Sequence, residues 1–129
     1  MLDSIVQQLN LTGLETVVDA YCGVGTFTLP LARKVKQAIG IELNATSINQ
    51  ANANAALNQV SNVTFYAGRV RDWLQEITPN PDLLLLDPPR KGCDPQVIEA
   101  ILNLQPSRIA YISCKPATLA RDIKLLCGS

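Results

Sequence analysis

The stretch Leu83-Leu84-Leu85-Leu86-Asp87-Pro88-Pro89-Arg90 decides how this chain folds. Four leucines without a polar break mark a strand buried on both faces, as strands of parallel sheets are. Two prolines then end it, because proline cannot donate to a strand ladder and steers the residue before it away from helix. Asp87 is therefore expected at the carboxyl end of a strand, with Pro88 and Pro89 as a stiff rim beside it. In open α/β sheets that edge is where ligands bind.

Strand and helix signals alternate outward from this point. Upstream, residues 16–21 read as a first strand, 26–35 as a helix, 38–43 as a second strand closing at Glu42, and 63–67 as a third. Asn44 is placed to cap a helix running to about Asn58, and a short helix follows over 70–77. Apolar residues at 2, 5, 6 and 9 predict a helical face ended by Thr12-Gly13. Downstream, Asp94-Pro95 opens a helix through Leu104 with proline at its favoured first position. Residues 108–114 form a fifth strand, and Pro116 starts a helix to about Leu126. Strict alternation predicts an α/β fold: a doubly wound, mostly parallel sheet of about five strands, as a single domain over 1–129.

Composition narrows the function. With 47% apolar residues in 129, the chain can bury a real core, which argues against disorder. Its formal net charge is zero, so no overall basic field draws it to nucleic acid, and most of the grip on an RNA is expected elsewhere in the protein. No apolar run reaches the ~18 residues of a membrane helix, and Met1 opens no signal-peptide pattern, so a cytoplasmic location is expected. The four cysteines contain no CxxC pair and histidine is absent, which argues against a zinc site and excludes a histidine base.

Asp19-Ala20-Tyr21-Cys22-Gly23-Val24-Gly25 lies between the first strand and the first helix, where glycines let backbone approach a ligand closely. Glu42, at the end of the second strand, is positioned to accept both ribose hydroxyls of a nucleoside. Thr28 occupies the third glycine position of a dinucleotide fingerprint, which disfavours NAD and suits S-adenosylmethionine, a cofactor with no pyrophosphate to cradle. At the end of the fifth strand, Cys114 sits beside Lys115 and just before the Pro116 helix. There a thiol gains a lowered pKa and can act as nucleophile without histidine. The alternative for Cys114 is a small buried hydrophobe. Cys22 lies in the glycine loop, and Cys93 and Cys127 are read as incidental.

Asp-Pro-Pro-Arg-Lys-Gly (87–92), Ser-Cys-Lys-Pro-Ala-Thr-Leu-Ala-Arg-Asp (113–122) and DAYCGVGTFTLP (19–30) together resemble the RNA uracil-5 methyltransferases, which make 5-methyluridine in ribosomal and transfer RNA. The resemblance covers nearly the whole chain. It implies a Rossmann-like fold using S-adenosylmethionine, and an RNA substrate, with 23S ribosomal RNA placed ahead of transfer RNA. It also implies a covalent mechanism: Cys114 adds to carbon 6 of uracil, and Asp87 and Arg90 hold the base or its enolate. The cofactor edge falls to Asp19, Tyr21, Gly23, Gly25, Thr26, Phe27, Glu42, Asp87 and Pro88.

Departures from the family pattern are Lys115, where asparagine usually follows the nucleophile, and Gly68-Arg69, where an acid often stands near the adenine. The family's proton-abstracting glutamate and its N-terminal RNA-binding domain have no counterpart here. The chain is thus expected to be part of a longer enzyme, inactive alone, and to self-associate through an exposed edge at 109–112. Two other readings stay open. An exocyclic-amine methyltransferase would also use Asp-Pro-Pro but needs no thiol. A cofactor-fold module could bind S-adenosylmethionine without turnover.

Overall fold

The computed structural model describes residues 11–77, 81–86 and 95–111. The helices expected over 2–9 and 116–126, the strand ends at 87 and 112–114, and with them Asp87, Pro88, Arg90 and Cys114, lie outside the described residues.

Nine elements alternate: β1 (Thr16–Ala20), α1 (Thr28–Ala32), β2 (Gln37–Glu42), α2 (Ala45–Leu57), β3 (Val63–Ala67), α3 (Val70–Glu76), β4 (Leu83–Leu86), α4 (Pro95–Leu104) and β5 (Arg108–Tyr111). The strands form one sheet of order β3-β2-β1-β4-β5, every pair parallel. The order runs one way from β1 through β3 and the other way from β4 to β5. The switch therefore falls between β1 and β4, where Ala20 is in register with Leu86. Carboxyl ends of strands diverge at such a point and leave a crevice.

The leucine run explains the layering. All four leucines of β4 are buried, Leu84 and Leu86 in a cluster with α3 and α4, Leu83 and Leu85 in one with α1. Successive side chains of a strand point to opposite faces, so four consecutive leucines serve two helical layers. α4 meets the first cluster with Val97, Ile98, Ala100, Ile101 and Leu104, the spacing of one helical face.

α2 is built to sit close. Its buried positions are Ile48, Ala51 and Ala55, packed with Cys22 and Phe65. Gly40 of β2 makes the room, since a Cβ there would lie 2.6 Å from Phe65 Cδ1 and 2.9 Å from Cys22 Sγ. Asn44 caps α2 as expected, its Oδ1 accepting from the amides of Thr46 (2.9 Å) and Ser47 (3.2 Å).

The one helix that differs clearly from its sequence signal is α1, which covers five residues rather than the expected 26–35. Thr26 and Phe27 belong to the loop, and after Ala32 a tight turn, with the Lys34 amide donating to Leu31 O, hands the chain to β2. The amides of Lys36 and Gln37 then both donate to Glu15 O, so the start of β2 is anchored before a longer helix could form.

Candidate functional site

The site is assembled at the carboxyl ends of β1 and β2. Past Ala20 the chain turns sharply through Tyr21, whose φ of 63° is left-handed and unusual for an aromatic residue. The Cys22 amide donates to Ile41 O (2.9 Å) and the Gly25 amide to Cys22 O (3.0 Å), closing the turn. Gly23, at φ 59°, adopts the same region without steric cost, and nothing lies within 4 Å of where its Cβ would be. Open space over a left-handed glycine is a place where a ligand can approach main chain.

Glu42 faces this turn. Its Oε1 accepts from the Gly23 amide (3.2 Å) and its Oε2 from the Asn44 amide (3.0 Å). The half-buried carboxylate is thus fixed by two backbone donors, one from each flanking loop. Each oxygen keeps a further lone pair, which suits the pair to two adjacent hydroxyls such as those of a ribose. The residues present fit the nucleoside half of S-adenosylmethionine in this respect.

Other expected site residues fall into two groups. Asp19 is only 2% exposed, and its Oδ2 accepts a 2.6 Å bond from the hydroxyl of Thr28, the fully buried first residue of α1. This pair ties β1 to α1 beneath the loop. Thr28 therefore stands at the third fingerprint position because it is the donor to Asp19, a link that sequence spacing did not reveal. Gly25 (φ 89°) packs inward, its would-be Cβ 3.3 Å from Phe65 Cζ, and Phe27 packs against the cluster beneath α1. Tyr21 is half-buried against the opposite cluster, and Thr26 is exposed on the side toward α2. Gly23 and Glu42 are brought into direct contact.

Cys22 is 7% exposed, and its Sγ lies 3.7 Å from Gly23 O. Burial first, then the negative charges of Asp19 and Glu42, push its thiol up from 9.0 to about 12. Its setting is that of a buried packing group, with the thiol held in its protonated form rather than activated.

The loop after the third strand is tied to the end of the second. The Gly68 amide donates to Glu42 O (2.9 Å), and a Cβ on Gly68 would lie 2.5 Å from Trp73 Nε1. Trp73 stacks on Tyr66, with centroids 4.2 Å apart and planes at 18°, and its Nε1 donates to Ala67 O (3.1 Å). Gly68 is therefore required by Trp73, and exposed Arg69 is the N-cap residue of α3, at the position where the family often carries an acid. Among the described residues, no group of three or more side chains could hold a metal ion, and no helix is long and apolar enough to cross a membrane.

The sheet order, the switch point and the Gly23–Glu42 pair define a Rossmann-like domain of the S-adenosylmethionine-dependent methyltransferase class. Comparison with solved structures agrees. A Pyrococcus abyssi tRNA (uracil-54, C5)-methyltransferase, solved with S-adenosyl-L-homocysteine, superposes with a TM-score of 0.82 at 31% identity, over 97% of this chain and 31% of that one. A Geobacter metallireducens precorrin-6y C5,15-methyltransferase shares the fold alone (TM-score 0.81, 16% identity, 98% of this chain and 68% of that one). The family model for tRNA (uracil-5-)-methyltransferase matches residues 1–128, and the chain belongs to that family. An RNA methyltransferase of Synechocystis sp. is 58% identical over 128 residues, 99% of this chain, and one of Nostoc sp. is 56% identical over 127 residues, 98% of it. The chain spans 28% of the length of each of these relatives.

Proposed function

We propose that this chain is the cofactor-binding and nucleophile-bearing domain of a longer S-adenosylmethionine-dependent enzyme that methylates carbon 5 of a uridine in ribosomal or transfer RNA in the cytoplasm. The observation that carries the cofactor half is the Glu42 carboxylate, held by the amides of Gly23 and Asn44 on a sheet of this family. Calorimetric titration with S-adenosyl-L-homocysteine tests it. A hydrogen bond to a charged group contributes about 1.5–3 kcal/mol, so Glu42→Ala should weaken binding at least ~10-fold. Unchanged affinity in a folded variant would contradict the assignment.

The bound cofactor supplies an electrophilic methyl group. Glu42 would accept the ribose hydroxyls, and open space over the Gly23 backbone leaves room beside them. Carbon 5 of uracil is a poor nucleophile, so the thiolate of Cys114 first forms a bond to carbon 6, and the displaced pair moves onto an enolate. Carbon 5 would then form its bond to the methyl carbon while the methyl–sulfur bond of S-adenosylmethionine breaks, its electron pair staying on the sulfur of the departing S-adenosyl-L-homocysteine. A base, by family resemblance a glutamate elsewhere in the longer protein, takes the proton from carbon 5. The released pair rebuilds the 5,6 double bond and expels the thiolate. Asp87 and Arg90 would hold the uracil and its enolate oxygen, and Pro88 would border the cofactor. Asp87 directly follows Leu86, which is in register with Ala20 at the switch point. What supports Cys114 is its sequence setting, beside Lys115 and ahead of Pro116, together with the family resemblance; Cys22 is buried as a packing group.

We also propose that the 129-residue chain by itself self-associates along β5, where Ile109 is 40% exposed on the last strand of the described sheet. Sedimentation velocity should show mass rising with concentration; a strictly monomeric species at high concentration would count against it.

A further inference from the structure

A net charge of zero conceals a segregation. From Tyr21 to Arg71 the chain carries five cations (Arg33, Lys34, Lys36, Arg69 and Arg71) against the single acid Glu42, leaving six cations and ten acids for the rest. Two of those cations, Arg33 and Lys34, line a groove of about 590 Å3 between α1 and α2, with Thr26, Asn54 and Asn58 as further polar walls and Leu29 among its apolar contacts. No acid lines it, both cations are exposed, and neither has an ion-pair partner among the described residues. α2 itself carries no charge at all.

The groove is tied to the cofactor loop. It begins at Val24, Gly25 and Thr26, and the Asn54 side-chain amide donates to Val24 O (3.3 Å), joining α2 to that loop. It then runs toward the far ends of α1 and α2, where Arg33, Lys34 and Asn58 stand. From α2 the groove takes Asn54 and the C-cap Asn58, four residues or about 6 Å of helix rise apart. Cations without acids attract a polyanion; the Thr26 hydroxyl, and the second hydrogens of the Asn54 and Asn58 amides, whose first donate to Val24 O and Asn54 O, match phosphate and 2′-hydroxyl oxygens; and Val24, Leu29 and Pro30 offer apolar surface to sugar or base faces.

We propose that the α1–α2 groove, centred on Arg33 and Lys34, binds the sugar-phosphate backbone of single-stranded RNA flanking the target uridine. This rests on the reading of RNA as the substrate. It locates a sequence-independent part of the grip on this domain, on a face distinct from the Gly23–Glu42 pair.

The test titrates the full-length protein with a fluorescein-labelled, uridine-containing single-stranded RNA of mixed sequence, between about 50 and 200 mM salt. Each phosphate contact on a single strand contributes about 0.7 to the slope of log affinity on log salt. Arg33→Glu with Lys34→Glu should reduce that slope by about 1.4 and weaken binding on the order of tenfold at 0.1 M salt. The gentler Arg33→Gln with Lys34→Gln should change both in the same direction, while Arg108→Glu, on β5, should leave the slope unchanged. S-adenosyl-L-homocysteine binding should be retained throughout. Unchanged RNA affinity and slope in the groove variants, with methyl transfer intact, would overturn the groove and leave the enzyme reading standing. Unchanged RNA affinity with a lowered melting temperature would assign the groove to an acidic segment of the longer protein, and also overturn it. Failure of the wild type to bind or methylate any RNA would remove both.

Discussion

Glu42 and Cys22 lie close together and have opposite fates. Both sit where β1 and β2 end, yet the carboxylate is half-exposed and held by two amides while the thiol is nearly sealed. The sealed thiol has a consequence for stability. Its pKa is raised in the fold, so the folded chain holds a proton that the unfolded chain releases above pH 9. The stabilisation is complete below pH 9 and is lost as pH rises toward about 12. The stability advantage of the wild type over Cys22→Ala, measured by denaturant midpoints, should therefore shrink from pH 8 to pH 11. An advantage that grew or stayed level would mean that the thiol is not sealed. Sequence alone left Cys22 undecided, because burial under Gly40 and the flanking charges of Asp19 and Glu42 are set by strand pairing rather than by spacing. The same holds for Thr28, whose hydrogen bond to Asp19 crosses from α1 to β1.

At the scale of elements, local signals were legible where local chemistry decides. Val63–Ala67 matches its signal residue for residue, Asn44 caps α2 and Pro95 starts α4. α1 was not legible, because its length is set by the loop packing Gly25 against Phe65 and by the anchoring of β2 on Glu15, both non-local. The end of α2 is a compromise of another kind. Gln59 adopts φ 58° where glycine is favoured, with the Gln59 amide donating to Ala56 O and the Val60 amide to Ala55 O. A side chain in that conformation costs roughly 1–2 kcal/mol. Part of that gain is offset by glycine's larger entropy loss on folding, so Gln59→Gly should stabilise the chain by about 0.5–1 kcal/mol. Thermal denaturation checks this, and a destabilised variant would show that the Gln59 side chain makes a contact worth more than the strain.

At the scale of the whole molecule, the leucine run and the alternation of strand and helix signals are enough to read the sheet's parallel direction and its layering. Net charge is silent on distribution: the zero sum covers a cation-rich stretch over 21–71, of which Arg33 and Lys34 line the groove between α1 and α2. The chain spans 28% of the length of its Synechocystis relative, so the covalent chemistry proposed above is tested in a protein of the relatives' full length.

The most direct measurement is to incubate that protein with S-adenosylmethionine and RNA carrying 5-fluorouridine, then to map any covalent adduct by peptide mass spectrometry. Fluorine cannot leave carbon 5 as a cation, so the thioether at carbon 6 cannot be eliminated and the complex should persist. The account predicts an adduct on Cys114 in the wild type and none in Cys114→Ser, which should also lose methyl transfer to ordinary RNA. Methyl transfer surviving in Cys114→Ser, or an adduct on another residue, would contradict it.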